Sequence, residues 1–423
     1  MFKVFANAWK IADIRKKMLF TLLLIVVFRL GSAIPVPFVS AEALKELVAN
    51  GNSLFSMYDI ISGGSFSNAT IFAMSITPYI NSSIIIQLLT VAIPALERKS
   101  KEGEEGRKFL AQLTRYVTVI LAFIQATGLY FGISGAITQK NFLSYILIVL
   151  TFTAGTAFLM WLGEQINDKG IGNGISLLIF AGIVSSGPSM VRGFIELNKS
   201  GRLNILWTLV IVVFAIAVVG FVVWMNDAER RIPVQYAKRV VGRKMYGGQS
   251  THIPIKVAMA GVMPIIFAIS LISFPATICQ IAGIQAGDPG FWGGFLKVFS
   301  QGSLVYGIIY FVLIIFFTYF YTEMQYNPIE MSNNMKQNGG FIPGIRPGKP
   351  TSDFIRNILN KITLVGAVFV ALIAVLPMFL TEVIGSGVAF GGTSLLIVVG
   401  VALETVKQLE SQMLMRHYKG FLE

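Results

Sequence analysis

Residues able to do covalent or metal chemistry are sparse in this 423-residue chain, and their spacing fits no catalytic set. The run Gly344-Ile345-Arg346-Pro347-Gly348-Lys349-Pro350-Thr351 has the outline of a phosphate-binding loop. Three residues rather than four separate its glycines, Pro350 stands where a hydroxyl would hold magnesium, and no strand precedes it. Gly170-Ile171-Gly172-Asn173-Gly174 follows a long apolar stretch instead of a strand, so it reads as a tight turn and not as a dinucleotide fingerprint. Two histidines, His252 and His417, and the single Cys279 leave little for metal or redox chemistry. The sequence contains no HExxH, no paired carboxylates within an apolar stretch and no Ser/His/Asp set that could meet, so neither a metal nor a cofactor is expected. An ion-coupled carrier would be marked by charges buried in its spans. Arg29 is the one plain example; Asp59 lies in a weakly apolar stretch, and Glu323 and Glu404 lie at the ends of apolar runs. Snorkelling or a single structural pair accounts for these as readily as a transport site does.

The elements that carry these residues are membrane helices. Hydrophobic residues make up 54% of the chain and charged residues 13%, about half the share usual in soluble proteins, and the mean hydropathy is +0.70. Runs near the 20 residues needed to cross a bilayer are read at Met18–Ile34, Ile71–Ile93, Tyr116–Ile133, Phe142–Leu162, Ile171–Gly187, Ile205–Met225, Val257–Ile281, Leu304–Tyr321, Ile362–Leu380 and Val388–Glu404. The expected fold is therefore an all-α integral membrane protein of about ten spans. The first run has the basic lead and small residues of a signal peptide, but Arg29 interrupts it and nine spans follow, so it is read as retained. The net charge of +13 is topological. If the N-terminus is cytoplasmic, twenty-seven of the Lys and Arg residues fall on the cytoplasmic side and six outside, which places both termini in the cytoplasm.

Three features exceed what spanning requires. Leu54–Thr70, between the first two spans, is only moderately apolar and contains Ser62-Gly63-Gly64-Ser65. At best it makes a short, loosely held helix, a movable stopper beside an aqueous path. Two cytoplasmic loops, Asn226–Lys256 and Gln325–Lys361, are long and basic. The first alternates like a hairpin around its GRK segment, and such loops are docking surfaces more often than connectors. Ile76, Ile80 and Ile84 recur on one helix face, as do Ile179 and Ile183; periodicity alone assigns them to packing or to lipid.

The runs TPYINSSIIIQLLT (77–90), EGRKFLAQLTRY (105–116), FLMWLGEQINDKGIGNGIS (158–176), YAKRVVGRKMYGGQSTHIPIKV (236–257), FIPGIRPGKPT (341–351) and FGGTSLLIVVG (390–400) occur in order across nearly the whole chain. On these runs the sequence resembles the SecY family, the central subunit of the Sec protein-conducting channel.

The resemblance implies a clamshell of two pseudo-symmetric five-helix halves, residues 1–187 and 205–423, joined by an external hinge loop at 188–204, although the sequence by itself displays no internal repeat. It implies a pore ring of Ile76, Ile80, Ile179, Ile266 and Ile397. The plug falls on about Leu54–Thr70, with Phe55, Tyr58, Ile60, Ile61, Gly63, Gly64 and Phe66. A lateral gate between spans two and three on one side and seven and eight on the other is lined by Asn81, Gln87, Thr90, Gln125 and Phe274. Ala258 stands where several relatives have Asn, which bears on how polar contacts hold that gate. For docking of the SecA ATPase or a ribosome, through its RNA phosphates, it implies Lys238, Arg239, Arg243, Lys244 and Arg346. SecE and SecG are the implied small partners, signal peptides and precursor polypeptides the clients, and the bacterial cytoplasmic membrane the location. The plug is expected to move at low cost because little apolar surface holds it, and the gate's polar groups are expected to be partly hydrated. A secondary carrier for a small solute and a passive membrane scaffold are the competing classes. Of the broken spans a carrier needs in both halves, the sequence shows a convincing one only in span two.

Overall fold

In the computed structural model, the residues described are 2–49, 55, 59, 62–199, 205–236, 239–241, 244–246, 250–281, 290–298, 303–384 and 392–419. Helices lie at each position read as a span. They are α2 (Ala12–Gly31), α4 (Thr77–Ala92), α6 (Glu104–Gly132), α7 (Phe142–Lys169), α8 (Gly174–Lys199), α9 (Ile205–Asp227), α10 (Met263–Ile281), α12 (Leu304–Gln325), α14 (Lys349–Ile384) and α15 (Gly392–Lys419), with shorter helices α1 (Phe2–Lys10), α3 (Ala41–Ala49), α5 (Pro94–Ser100), α11 (Phe291–Val298) and α13 (Pro328–Gln337) between them. Among the described residues, α6, α7, α9, α12 and α14 are each long and apolar enough to cross a membrane, and α4 with α5, bent by 105° at Ile93, makes a sixth. Exposed Leu209, Val212, Val213, Ile216 and Trp224 line α9, and only 17% of its most apolar window is buried. A helix apolar all round and so little covered requires lipid as its solvent.

Two of the expected spans begin unwound. Ile71–Ile76 forms turns before α4 starts at Thr77, and Val257–Val262 forms turns before α10 starts at Met263. Span seven is thus broken in the same way as span two, contrary to the sequence expectation. Each helix then takes a proline at its second position, Pro78 or Pro264, where a missing N–H costs no helical bond. The first residue of each unwound stretch lies against a glycine of a later helix. A Cβ on Gly155 of α7 would lie 2.1 Å from the Ile71 carbonyl oxygen, and one on Gly366 of α14 would lie 2.3 Å from that of Val257. The first break is satisfied by the loop after α2: Ile71 N–H donates to Ile34 O (3.1 Å) and Val36 N–H to Ala69 O (2.7 Å). Non-helical backbone at membrane depth survives only with partners of this kind.

The stretch 188–204, expected as an external loop, is helical as far as Lys199, with Pro188 inside α8. The apolar run ends near Gly187, but Met190–Lys199 is rich enough in helix formers to continue, so loss of hydropathy did not mark the helix end. Span nine likewise starts thirteen residues before its apolar run, at Lys349. At 36 residues α14 is about 54 Å long, well beyond the ~30 Å of hydrocarbon.

That extension mounts the two long loops. The first is a hairpin as expected, with β1 (Glu229–Tyr236) paired antiparallel to β4 (Ser250–Lys256) and β2 (Arg239–Val241) to β3 (Lys244–Tyr246). The second loop adds β5 (Gly340–Phe341) to β1, giving one sheet of order β4-β1-β5. Ile232, Val234, Ile255, Met335 and Ile342 pack there with Ile355 and Leu359 of α14 in a small core.

The glycine contacts carry a direct test. Gly155→Ala and Gly366→Ala should each destabilise the protein by about 1–3 kcal/mol through forced displacement of backbone. Thermal unfolding of the purified protein in detergent measures this, and unchanged midpoints would contradict the close approaches.

Candidate functional site

Ile76, Ile80, Ile179, Ile266 and Ile397 come from four helices and the turn before α4, yet all five belong to one buried apolar cluster, with exposures of 2, 5, 3, 6 and 6%. Ile84, Val262 and Val401 join them there. Their placement follows from the breaks. Ile80 and Ile266 each lie nine residues beyond the carbonyl that abuts a glycine, so the two unwound segments deliver matching side chains. Val401 follows Ile397 by four residues, one turn along the same face of α15. Among the described residues no group of His, Cys, Asp or Glu could hold a metal ion.

The stopper segment is held more firmly than its composition suggests. Phe55 and Phe66 are 4% and 1% exposed and stack with centroids 5.4 Å apart, in a second apolar core shared with α6 and α7. Ser62 Oγ accepts from Phe66 N–H (3.0 Å), Asp59 Oδ1 from Ser67 N–H (2.8 Å), and Asp59 O from Gly64 N–H (2.9 Å). Asp59 therefore ties a turn together. Gly63, at φ +64°, lies where an added Cβ would sit 2.4 Å from the Gly182 carbonyl oxygen of α8, so both its conformation and its space demand glycine. The expectation of little holding surface is corrected: two aromatic rings and a backbone contact hold it. Tyr58, Ile60 and Ile61 lie outside the described residues.

Along the expected gate, α10 packs against α4 and α6. Asn81, Thr90 and Gln125 are 6, 8 and 5% exposed, buried where partial hydration was expected. Thr90 Oγ1 donates to Ile86 O of its own helix (2.7 Å), and Gln87 Nε2 to Ser83 Oγ (3.0 Å). Gln125 Nε2 is buried with no hydrogen-bond partner. Phe274, half-buried on α10, precedes the in-helix Pro275.

On the sheet side, Arg346 is exposed on a turn fixed by two bonds: Thr351 Oγ1 donates to its carbonyl and Ser332 Oγ to that of Gly348 (both 2.8 Å). Arg239 and Lys244 stand on the paired strands β2 and β3, while Lys238 and Arg243 lie outside the described residues. Sequence reasoning missed a cavity of about 420 Å³ between this sheet and the apolar cluster. It is lined by Asn173 just before α8 and Ser176 on it, by Ala258 of the span-seven turn, and by Lys256, Glu404 and Lys407. Lys407 pairs with Asp227 (2.8 Å) and donates to Asn226 O (3.1 Å), tying α15 to the end of α9. Burial lowers the Lys256 ammonium below its ordinary pKa, Lys407 lowers it further, and Asp227, Glu229 and Glu404 oppose the shift. Small side chains, Ala258 among them, leave this space open, a signal visible only once the unwound turn is known.

A multi-pass helical membrane protein with a buried apolar cluster at its middle and a partly polar cavity beside it is the class these features define. The family model described as SecY matches residues 70–406. Proteins named Protein translocase subunit SecY from Halalkalibacterium halodurans, Bacillus subtilis and Streptomyces coelicolor are 46, 47 and 45% identical, each over the full length of both chains. Among solved structures, one described as a protein-conducting channel superposes with a TM-score of 0.69 at 21% identity, covering 94% of this chain and 92% of its own. Sec61 of a canine ribosome–channel complex superposes with 0.65 at 20% identity, with the same coverage. The chain belongs to the SecY family.

The unpartnered Gln125 amide gives this site its test. Gln125→Leu should stabilise the closed packing by about 1–3 kcal/mol, because a desolvated donor is replaced by apolar bulk. A higher unfolding midpoint in detergent is expected, and a lowered one would mean that the amide has a partner.

Proposed function

We propose that this chain is the pore subunit of a protein-conducting channel, which passes unfolded polypeptides across a membrane and releases apolar segments sideways into lipid. It acts as a conduit and not as an enzyme. Full-length identity of 46% to a SecY translocase subunit carries the reading. The waist of isoleucines, Ile76, Ile80, Ile179, Ile266 and Ile397, is its seal. Aliphatic side chains make no directional bonds, so a closed collar dewets and stops ions, while an open one slides along any sequence. The segment from about Leu54 to Thr70 is the plug that backs it.

The seam of Asn81, Gln87, Thr90, Gln125 and Phe274 is the lateral gate. Each Leu, Ile, Phe or Val favours lipid by about 0.3–0.6 kcal/mol at a helix centre, so roughly ten of them gain about 3–6 kcal/mol, while one central charge costs about 2.5–3.5. Apolar segments therefore leave sideways and polar ones pass through. The two halves, 1–187 and 205–423, move about the segment 188–204. The matched breaks at Ile71–Ile76 and Val257–Val262 support treating them as repeats. Ten spans with both termini in the cytoplasm of a bacterial inner membrane suit the Lys and Arg distribution.

The driving force comes from partners. A SecA-type ATPase docks on the sheet of the two long loops, with Arg346 as its main contact. A ribosome uses the same face, where Lys238, Arg239, Arg243 and Lys244 meet RNA phosphates in a strongly salt-dependent manner. SecE and SecG bind at the periphery.

Reconstitution in liposomes with SecE, SecG, SecA and ATP tests this. ATP-dependent import of a precursor is the expected result, and solute uptake without import would contradict it. In the same assay Arg346→Glu should abolish SecA-driven import while leaving SecE binding intact, and normal import would remove Arg346 from the docking site.

A further inference from the structure

Arg29 is the one plainly intramembrane charge in the sequence, and neither the waist nor the gate uses it. It projects from α2 to the middle of α8. Its Nη2 donates to the Ala181 carbonyl, to the Gly182 carbonyl (3.2 Å) and to Ser185 Oγ. Ser185 Oγ in turn donates to Gly182 O (2.7 Å) and lies 3.5 Å from Gly63 O. Gly63 presses its backbone on Gly182, the residue one turn beyond Ile179 on α8. One guanidinium therefore organises the patch of α8 on which the plug rests, next to the seal. A positive charge without a carboxylate partner is costly to keep in a membrane unless carbonyl and hydroxyl oxygens replace its water, and those oxygens here belong to the plug's seat.

We infer that Arg29 is a positioning residue for the plug: bound to Ala181, Gly182 and Ser185, it holds α8 in the shape that accepts Gly63 and so sets how readily the plug leaves. This deepens the channel reading and rests on it. Displacing the plug breaks the Gly63–Gly182 contact and the approach to Ser185 while leaving Arg29 bonded to α8, so the seat stays formed for the plug's return. Because the latch consists of backbone carbonyls, one hydroxyl and a glycine contact, it is indifferent to the sequence of a passing chain.

The test uses the assembled complex in planar bilayers and reads resting ion conductance. Arg29→Ala should raise it about ten-fold, the equivalent of losing one charge-assisted hydrogen-bond set. Arg29→Lys, which can donate to the same carbonyls, should restore part of the seal, and Ser185→Ala should raise the leak about two-fold. Gly63→Ala, which forces the plug off Gly182, should leak by itself, and adding Arg29→Ala to it should have no further effect. A purely structural role in joining α2 to α8 predicts the opposite, equal increments with and without Gly63→Ala, and that result overturns the latch. So does an unchanged leak in Arg29→Ala. Should Arg29→Ala fail to assemble, Ser185→Ala decides alone, since an unaltered leak there removes the hydroxyl link to the plug. Failure of the wild-type complex to import a precursor would instead contradict the channel reading, whatever the leak.

Discussion

The seal proposed for this chain, built from isoleucine, has no hydrogen bond to hold it shut. It depends on separate helices bringing short aliphatic side chains within van der Waals contact, where each pair of atoms contributes only about 0.1–0.2 kcal/mol. Such a contact is lost by small displacements and recovered without having to find a partner, which suits a barrier that must open to any sequence. Most of the fold serves that requirement. The unwound stretches before α4 and α10 set the depth of Ile80 and Ile266, and glycines on α7 and α14 receive the backbone that unwinding exposes. Ala69 just before the first break and Ser75 within it, with φ of 50° and 52°, hold left-handed backbone, and strain at such positions persists only where surroundings over-determine it.

Several polar groups are satisfied within the fold itself. Asp59 is consumed by a turn, Arg29 by the carbonyls of α8, and Lys407 by Asp227 and Asn226. Ser82 Oγ joins α4 to α6 through Thr114 O (2.8 Å), the kind of short interhelical bond that substitutes for hydrophobic force inside lipid. Many of the remaining basic residues lie in the sheet-bearing loops, which α14 carries as a rigid extension of a membrane helix. The same helix abuts the span-seven turn through Gly366.

Hydropathy and charge made the membrane class, the helix positions and the basic loops legible, because lipid imposes those patterns along the chain. The likeness between the breaks of spans two and seven was not legible. It resides in where Ile71 and Val257 touch glycines distant in sequence, and the residues around them differ: Thr77-Pro78-Tyr79 against Met263-Pro264-Ile265. Helix continuation past Gly187 was hidden because hydropathy reports burial in lipid and not backbone geometry. The firmness of the segment before span two was hidden because two phenylalanines count little in composition and much in contact. The five isoleucines were individually unremarkable; only the resemblance singled them out, and only the fold brings them into one cluster.

The account stands or falls on whether that cluster is what keeps ions out. Resting ion conductance of the reconstituted complex carrying Ile80→Gly and Ile266→Gly together measures it most directly. A several-fold rise over the wild type, with assembly of the complex unchanged, is the result the account predicts. A conductance equal to the wild type would contradict it and return these side chains to ordinary packing.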